Sequence, residues 1–330
     1  MKKNLVFLCL IMMISSLVFA GGSKEEVKSD EAAMSYFASI TSVEPIVAAF
    51  GEEKGVDATY TRLSSSSFAS TILTEYQAGK LTADVIQAPV PILEILKENG
   101  VVADYASPVA ADYPEWSKKD GIQIFGVESV ALIYNTDLVS ASEAPTSYQD
   151  LTDAKWKNKI VMSDPSNHAS TISWLVALKE NNIFASDAEW YDFLEGLAAN
   201  NPMFVKSFGS TPGPLETGEK AIGISLPKYI VTKSPAPLDW ARVNQPLFGS
   251  ARGIAVTSKA PNPENARAFL DYWLTAESMA TLASDVGEYV LAPGVYPPIE
   301  GMDEAEVIAI RELSDEEIEK WGAEFKDIFF

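Results

Sequence analysis

The stretch from Trp156 to Leu178, WKNKIVMSDPSNHASTISWLVAL, holds three kinds of chain in succession. Ile160, Val161 and Met162 form a short β-rich run that Asp164-Pro165 stops. Ser166 to Ser170 are small and polar. From Thr171 onward the apolar residues Ile172, Leu175, Val176 and Leu178 recur at helical spacing. The pattern predicts strand, tight loop and helix. Ser, Asn and Thr are residues that cap helix starts. A helix start also presents unpaired backbone N–H groups and a partial positive charge, so the same loop suits an anion. Taken alone these residues are only caps; the rest of the chain decides whether they are more.

The same alternation runs through the first third of the chain. Met34 to Ala38 reads as a strand and Val43 to Phe50 as a helix. Asp57 to Leu63 is a second strand, followed by Ser64 to Ser67 and a helix to about Gly79. Ala83 to Gln87 is a third strand, and Pro91 to Asn99 a helix ended by Gly100. This β-α-β-α-β-α order predicts a parallel sheet with helices on both faces. Ligands of such sheets bind beyond the C-terminal ends of the strands. Those ends carry Ser39 and Thr41, then Ser64, Ser65 and Ser66, then Gln87. All are hydroxyls or amides.

Ile122 to Asn135 is β-rich with Gly126 inside it, and reads as a strand that passes from one lobe to the next. Ala185 to Leu197 is a helix, Met203 to Ser207 a strand that runs out into Ser210-Thr211, and Leu215 to Lys220 a short helix. Ala221 to Leu226 is a strand with Lys228-Tyr229 just after it. Arg252 to Ser258 is another strand and Asn262 to Leu274 a helix. Trp240 lies where the chain returns toward the first lobe and is expected to wall a cleft. The acidic segment 302–330 reads as helix and solvated surface.

Composition bounds the function. Hydrophobic residues make up 47% of the 330, enough for real cores, and the formal net charge is -21. Such an acidic chain repels nucleic acid and anionic membranes, so neither is expected as a partner. The N-terminus reads as a secretory signal: Lys2 and Lys3, an apolar run from Leu5 to Ile14, and small residues before a cut at Ala20. Residues 21–32 read as a flexible tether. The sole cysteine, Cys9, leaves with the signal, so no disulfide or thiolate metal site is expected in the exported chain.

Several pieces, in order over nearly all of residues 34–295, resemble the periplasmic solute-binding proteins of ABC importers, in the ferric-iron-type branch. They include Glu75-Tyr76-Gln77-Ala78-Gly79-Lys80, Ile133-Tyr134-Asn135-Thr136, Leu151-Thr152-Asp153-Ala154-Lys155-Trp156-Lys157 and Thr217-Gly218-Glu219-Lys220-Ala221-Ile222-Gly223. The resemblance implies an α/β two-lobe fold of type II kind with a ligand cleft between the lobes. The first lobe would be 33–125 with a return segment at about 246–292, the second 126–245 with C-terminal helices at about 293–330. It implies a monomeric periplasmic receptor with no cofactor, whose partners are a small solute and a membrane permease. Ferric members use a first-lobe His, an acidic residue after the third strand and a pair of tyrosines. These positions fall near Ser39, near Ala88 or Pro89, and at Lys228-Tyr229. Ferric iron wants several anionic oxygen donors, and one phenolate among serines is a poor cage. The anion-holding loop of the family matches Asn167, His168 and Ala169.

The expected ligand is therefore a small organic anion: a phosphonate, sugar phosphate or carboxylate. Its expected contacts are Ser39, Thr41, Ser64, Ser65, Ser66 and Gln87 from the first lobe, with Asn167, His168, Ala169, Ser210, Thr211 and Tyr229 from the second. Transported Fe³⁺, held through Tyr229, is the alternative. A secreted hydrolase is the distant reading: the chain has one His, no G-x-S-x-G elbow and no H-E-x-x-H, so no enzyme is expected.

Overall fold

The computed structural model describes residues 33–330. The signal, the tether and Cys9 lie outside the described residues. β1 (Ala33–Ala38) alternates buried and half-buried side chains, with Met34, Tyr36 and Ala38 turned to the core. The helix that follows, α1 (Glu44–Lys54), starts on Pro45 and ends at Gly55, whose positive φ only glycine adopts freely. β2 (Asp57–Arg62), α2 (Ser65–Gln77), β3 (Val85–Pro89) and α3 (Val90–Glu98) complete the expected β-α repeats. β1 pairs in parallel with β2 on one side and β3 on the other.

After the two-residue β4 (Lys118–Lys119), β5 (Ile122–Asn135) runs for 14 residues. At about 3.3 Å per residue it is roughly 46 Å long, enough to underlie both halves of the molecule. β6 (Ile160–Ser163), α4 (Ala169–Glu180), α5 (Asp187–Ala199), β7 (Met203–Val205), α6 (Pro212–Glu216), β8 (Ile222–Ser225), α7 (Lys228–Thr232) and β9 (Leu238–Trp240) form the second half. β10 (Leu247–Val256) then returns, followed by α8 (Pro263–Trp273), α9 (Ala276–Val286), β11 (Tyr289–Val290), β12 (Val307–Ala309) and α10 (Asp315–Phe329). The sheet order is β2-β1-β3-β10-β5-β8-β6-β7. The early part of β5 lies antiparallel to β10, and its last residues lie antiparallel to β8. Between Arg252 and Gly253 the β10–β5 register shifts, so one rung of the ladder is bulged.

Two aromatic cores sit on the two half-sheets. Tyr36, Phe50, Phe269 and Trp273 pack between β1, α1 and α8. Tyr148, Trp174, Trp190 and Phe193 pack around α4 and α5. α4 differs from the one-faced helix that its spacing predicts: every residue from Thr171 to Leu178 is buried. The sheet covers one face, and α5 and α10 cover others. The C-terminal segment also departs from expectation, because it contributes β12 to the sheet before it turns helical.

Two boundaries moved for identifiable reasons. α6 begins at Pro212 rather than Leu215, since proline is preset for the first helical turn. β10 begins at Leu247, five residues ahead of the expected Arg252, because Gly249-Ser250 looks like a break. Gly249 is instead a point of close approach. A Cβ there would stand 2.2 Å from the Glu128 carbonyl oxygen and 2.5 Å from the Ser129 Cα. Gly249→Ala is expected to cost about 1–3 kcal/mol through overpacking, read by urea unfolding. A loss below about 0.5 kcal/mol, ordinary for a surface change, would mean that the two long strands are not held this closely.

Candidate functional site

The strand ends of the first half-sheet are organised by Gln87. It is fully buried, and its Oε1 accepts hydrogen bonds from the Ser39 N–H at 3.2 Å and the Ile40 N–H at 3.1 Å. The amide therefore fixes the loop after β1, while its Nε2 and the Ser39 Oγ are buried without partners. Thr41 is exposed. Ser65 and Ser66 are not a loop ahead of a helix but the first turn of α2 itself. Ser64 stands at the cap, and its hydroxyl turns to Ser66 and Ser67 and makes no side-chain capping bond. α3 likewise starts from Pro89 without a side-chain cap.

In the second half, Asp164 builds the loop that opens α4. Its carboxylate accepts from the Ser166 N–H and hydroxyl at 2.8 and 2.7 Å and from the Asn167 amide at 2.9 Å. Those bonds outweigh its desolvation and hold Asp164 below the usual carboxylate range. The Asn167 side chain is thus spent on the loop rather than presented as a free donor. His168 stands at the α4 cap position without capping it; its Nδ1 meets the Thr171 hydroxyl at 2.9 Å, and its ring packs edge-on to Phe208. α10 closes against the back of this loop, where a Cβ on Gly322 would stand 2.7 Å from the Ser166 carbonyl oxygen.

Ser210 is exposed, and the Tyr229 hydroxyl lies near Gly209. Thr211 is a correction: it is fully buried, and its hydroxyl bonds to the Phe208 carbonyl and to Ser225 inside the protein. Trp240 is another. It is buried beside Leu238 and Met302, and its Nε1 donates to the Glu300 carbonyl, away from the cleft cavity.

That cavity, of about 870 Å³, lies between the first turns of α2 and α3 on one side and of α4 on the other. Ser65, Ser66, Pro89, Ala169 and Ser170 line it, so three of the predicted contacts face one space. Ser250 of β10 and Glu312 of the C-terminal segment also line it.

A second group was missed from sequence. Glu128 on β5 accepts from Lys228 on α7 and from Arg252 on β10, and Arg252 donates from Nε to Glu288 at 3.0 Å. Burial alone would raise the Glu128 carboxyl; the two cations overcome it and hold it at about 2. The available signal was one carboxylate in the middle of the otherwise apolar run IFGVESVALIYN. Burial raises the Tyr229 phenol, a push that neighbouring Lys228 opposes without cancelling. Among the described residues no three His, Cys, Asp or Glu side chains are placed to hold a metal ion.

The chain belongs to the family of bacterial extracellular solute-binding proteins, whose model matches residues 45–308. A putative 2-aminoethylphosphonate-binding periplasmic protein of Salmonella typhimurium is 24% identical over 208 residues, covering 61% of this chain and 60% of that one. The chain spans from 44% to 61% of the length of the first curated relatives it matches. Iron-bound HitA of Pseudomonas aeruginosa superposes with a TM-score of 0.68 at 17% identity, over 90% of this chain and 98% of that one. AfuA of Actinobacillus pleuropneumoniae, with fructose-6-phosphate bound, superposes at 0.65 and 19% identity, over 91% and 97%. These likenesses establish the two-lobe α/β fold expected from sequence.

Two predictions follow from the buried charges. Glu128→Gln leaves Arg252 and Lys228 without their shared anion and is expected to cost about 3–5 kcal/mol at pH 7. Because the folded Glu128 carboxyl lies below its ordinary 4.5, that contribution is complete above 4.5 and is lost as pH falls toward about 2. Unfolding curves of the two proteins should therefore converge in acid, and a constant gap would contradict the pairing. His168 is the only imidazole in the chain and gives a single NMR titration. Desolvation lowers it, against the pull of Glu128 and Asp164, so the midpoint is expected below 6.5. Between 6.5 and that midpoint the unfolded chain binds the proton and the folded chain does not, so stability declines as pH falls through this window. A midpoint at or above 6.5 would contradict the burial of the ring.

Proposed function

We propose that this chain is the extracytoplasmic solute receptor of an ABC importer, exported through its N-terminal signal to the periplasm. In this reading 33–125 and the return segment 246–292 form one lobe, and 126–245 with the C-terminal helices 293–330 the other. The lobes close about β5 and β10 on a small organic anion and hand it to a membrane permease. One observation carries the choice of anion: the first turns of α2, α3 and α4 surround one cavity, and none has a side-chain cap. The amide N–H groups at the starts of α2 and α4 and the positive dipole ends of all three are left for a ligand, although Pro91 leaves α3 one N–H short. Ser65, Ser66 and Ser170 add hydroxyl donors to the same space. α5, α9 and α10 are each capped by Ser or Thr, whereas α1, α6, α7 and α8 are not; the three cavity helices differ from these in facing one common space. The named ligands of the Salmonella relative and of AfuA, an aminophosphonate and a sugar phosphate, are of this chemical kind.

Ferric iron is the second reading, favoured by Tyr229 beside the loop of Gly209. Against it stand the ammonium of Lys228, 6.0 Å from the Tyr229 ring, and the burial that keeps the phenol protonated. The test is native mass spectrometry with metal analysis of protein purified without chelators, followed by titration of Tyr229→Phe and the double variant Ser65→Ala/Ser66→Ala. A bound organic mass is expected. The double variant should lose roughly tenfold or more in affinity, the scale of hydrogen bonds to a charged group, and Tyr229→Phe should lose less. Stoichiometric iron with a tyrosinate absorption band, abolished by Tyr229→Phe, would overturn the anion reading.

A further inference from the structure

The family model matches residues 45–308, and the chain beyond it carries the last part of the cavity wall. β12 pairs with β10 at Leu247 to Gly249, and α10 packs on α4 and α5. The short link between them must pass the cleft, and it carries Glu312 to the wall of the cavity beside Ser250. One carboxylate oxygen of Glu312, Oε1, is buried without a hydrogen-bond partner. Leaving an acceptor buried and unmet costs free energy, and among the described residues no cation forms an ion pair with it. No Lys, Arg or His of the described residues lines this cavity. Arg311, the preceding residue, is already engaged by Glu180 and Glu317. Lys119 of β4 is paired with Glu94 of α3.

We infer that Glu312 sets which solute the cleft accepts, its carboxylate receiving the ammonium group of an amine-bearing small anion. The inference rests on the solute-receptor reading of the cleft. The acidic end of such a solute sits at the first turns of α2, α3 and α4, and its amine points to the C-terminal link. Every charged side chain on the cavity wall is acidic; Glu98 of α3 and Asp315 of α10 add to Glu312, so a second acidic group on the solute is repelled near the C-terminal link. Burial and the neighbouring Glu94 push the Glu312 carboxyl up to about 7, against the Ser250 hydroxyl and Lys119. An ammonium ion binds the ionised form, so it drives a proton off Glu312. Binding of an amine therefore weakens as pH falls below 7, and does so through this one residue.

The experiment is calorimetry on the full exported chain with three probes: propylamine, ethylphosphonate and 2-aminoethylphosphonate. Each is titrated into wild type, Glu312→Gln and, as a control on the exposed surface of α10 outside the cavity, Glu319→Gln. The aminophosphonate is expected to bind wild type at least about tenfold tighter than ethylphosphonate, a margin of about 1.4 kcal/mol. Glu312→Gln should erase that margin, leave ethylphosphonate unchanged, and flatten the fall in aminophosphonate affinity between pH 7 and 6. The phosphonate's own titration is common to both proteins and cancels in that comparison. Glu319→Gln should keep the margin. An equal margin in Glu312→Gln, or no binding of either amine to wild type, overturns the role of Glu312. If the amines bind and lose affinity in Glu312→Gln while ethylphosphonate never binds, the role of Glu312 stands and the anion reading falls. Unfolding curves that match wild type exclude a folding defect in either variant.

Discussion

Four charged side chains meet where the two long strands cross the molecule, and the architecture is arranged around them. Glu128 comes from β5, Arg252 from β10, Lys228 from α7 and Glu288 from the turn after α9. Each pays a desolvation cost that only the others offset. Because they come from four separate elements, each pair forms only when the elements that carry it are in register. The packing around them is equally tight: Gly249 touches the Glu128 backbone, and Gly287 lies against Lys228. The charges and the glycines thus specify the same crossing by different means. Hydrophobic burial supplies the bulk of the stability through the two aromatic cores, but those cores lie to either side. What sets the relation of one half-sheet to the other is polar.

The cleft is built on the opposite principle, in which polar groups are left unsatisfied. Three helices begin there without caps, and Gln87 uses its carbonyl oxygen to shape a loop while its nitrogen stays unpaired. Asp164 performs the same service in the second half, spending its carboxylate on Ser166 and Asn167 so that the α4 entrance keeps its shape. Uncapped helix starts also occur elsewhere, at α1, α6, α7 and α8. What sets the cleft apart is that three of them converge on one space.

Much of this was legible in the sequence because it is local. The β-α repeats, the crossing strand Ile122–Asn135 and the loop at Asn167 to Ala169 follow from periodicity, glycine and the helix-starting residues. Ser65, Ser66 and Ala169 reach the cavity because they sit at helix entrances, a position that sequence encodes directly. Thr211 failed because two hydroxyls near a strand end look alike; only the tertiary partner, Ser225, decides that one turns inward. Asn167 was recognised as part of the loop, but its bond to Asp164 was not, since Asp164 was read as a strand stop. The ion network and Glu312 were beyond reach for a different reason. Their members are brought together from distant parts of the chain, and charge in an acidic C-terminal tail reads as solvated surface until the pairing of β12 shows where the tail goes.

The bulged rung between Arg252 and Gly253 has a mechanical meaning. Regular ladders on either side of it resist shear, since sliding one strand past its neighbour would break every hydrogen bond at once. At the bulge the register is already interrupted, so twisting there sacrifices little pairing. In the receptor reading proposed above, the crossing would serve as a torsional pivot between the two lobes, with the charged cluster beside it as the bearing. Its travel would be governed less by the strength of the sheet than by how far Lys228 can follow Glu128 before their contact is lost. Solute capture and the geometry offered to a membrane partner would then be two readings of one angle.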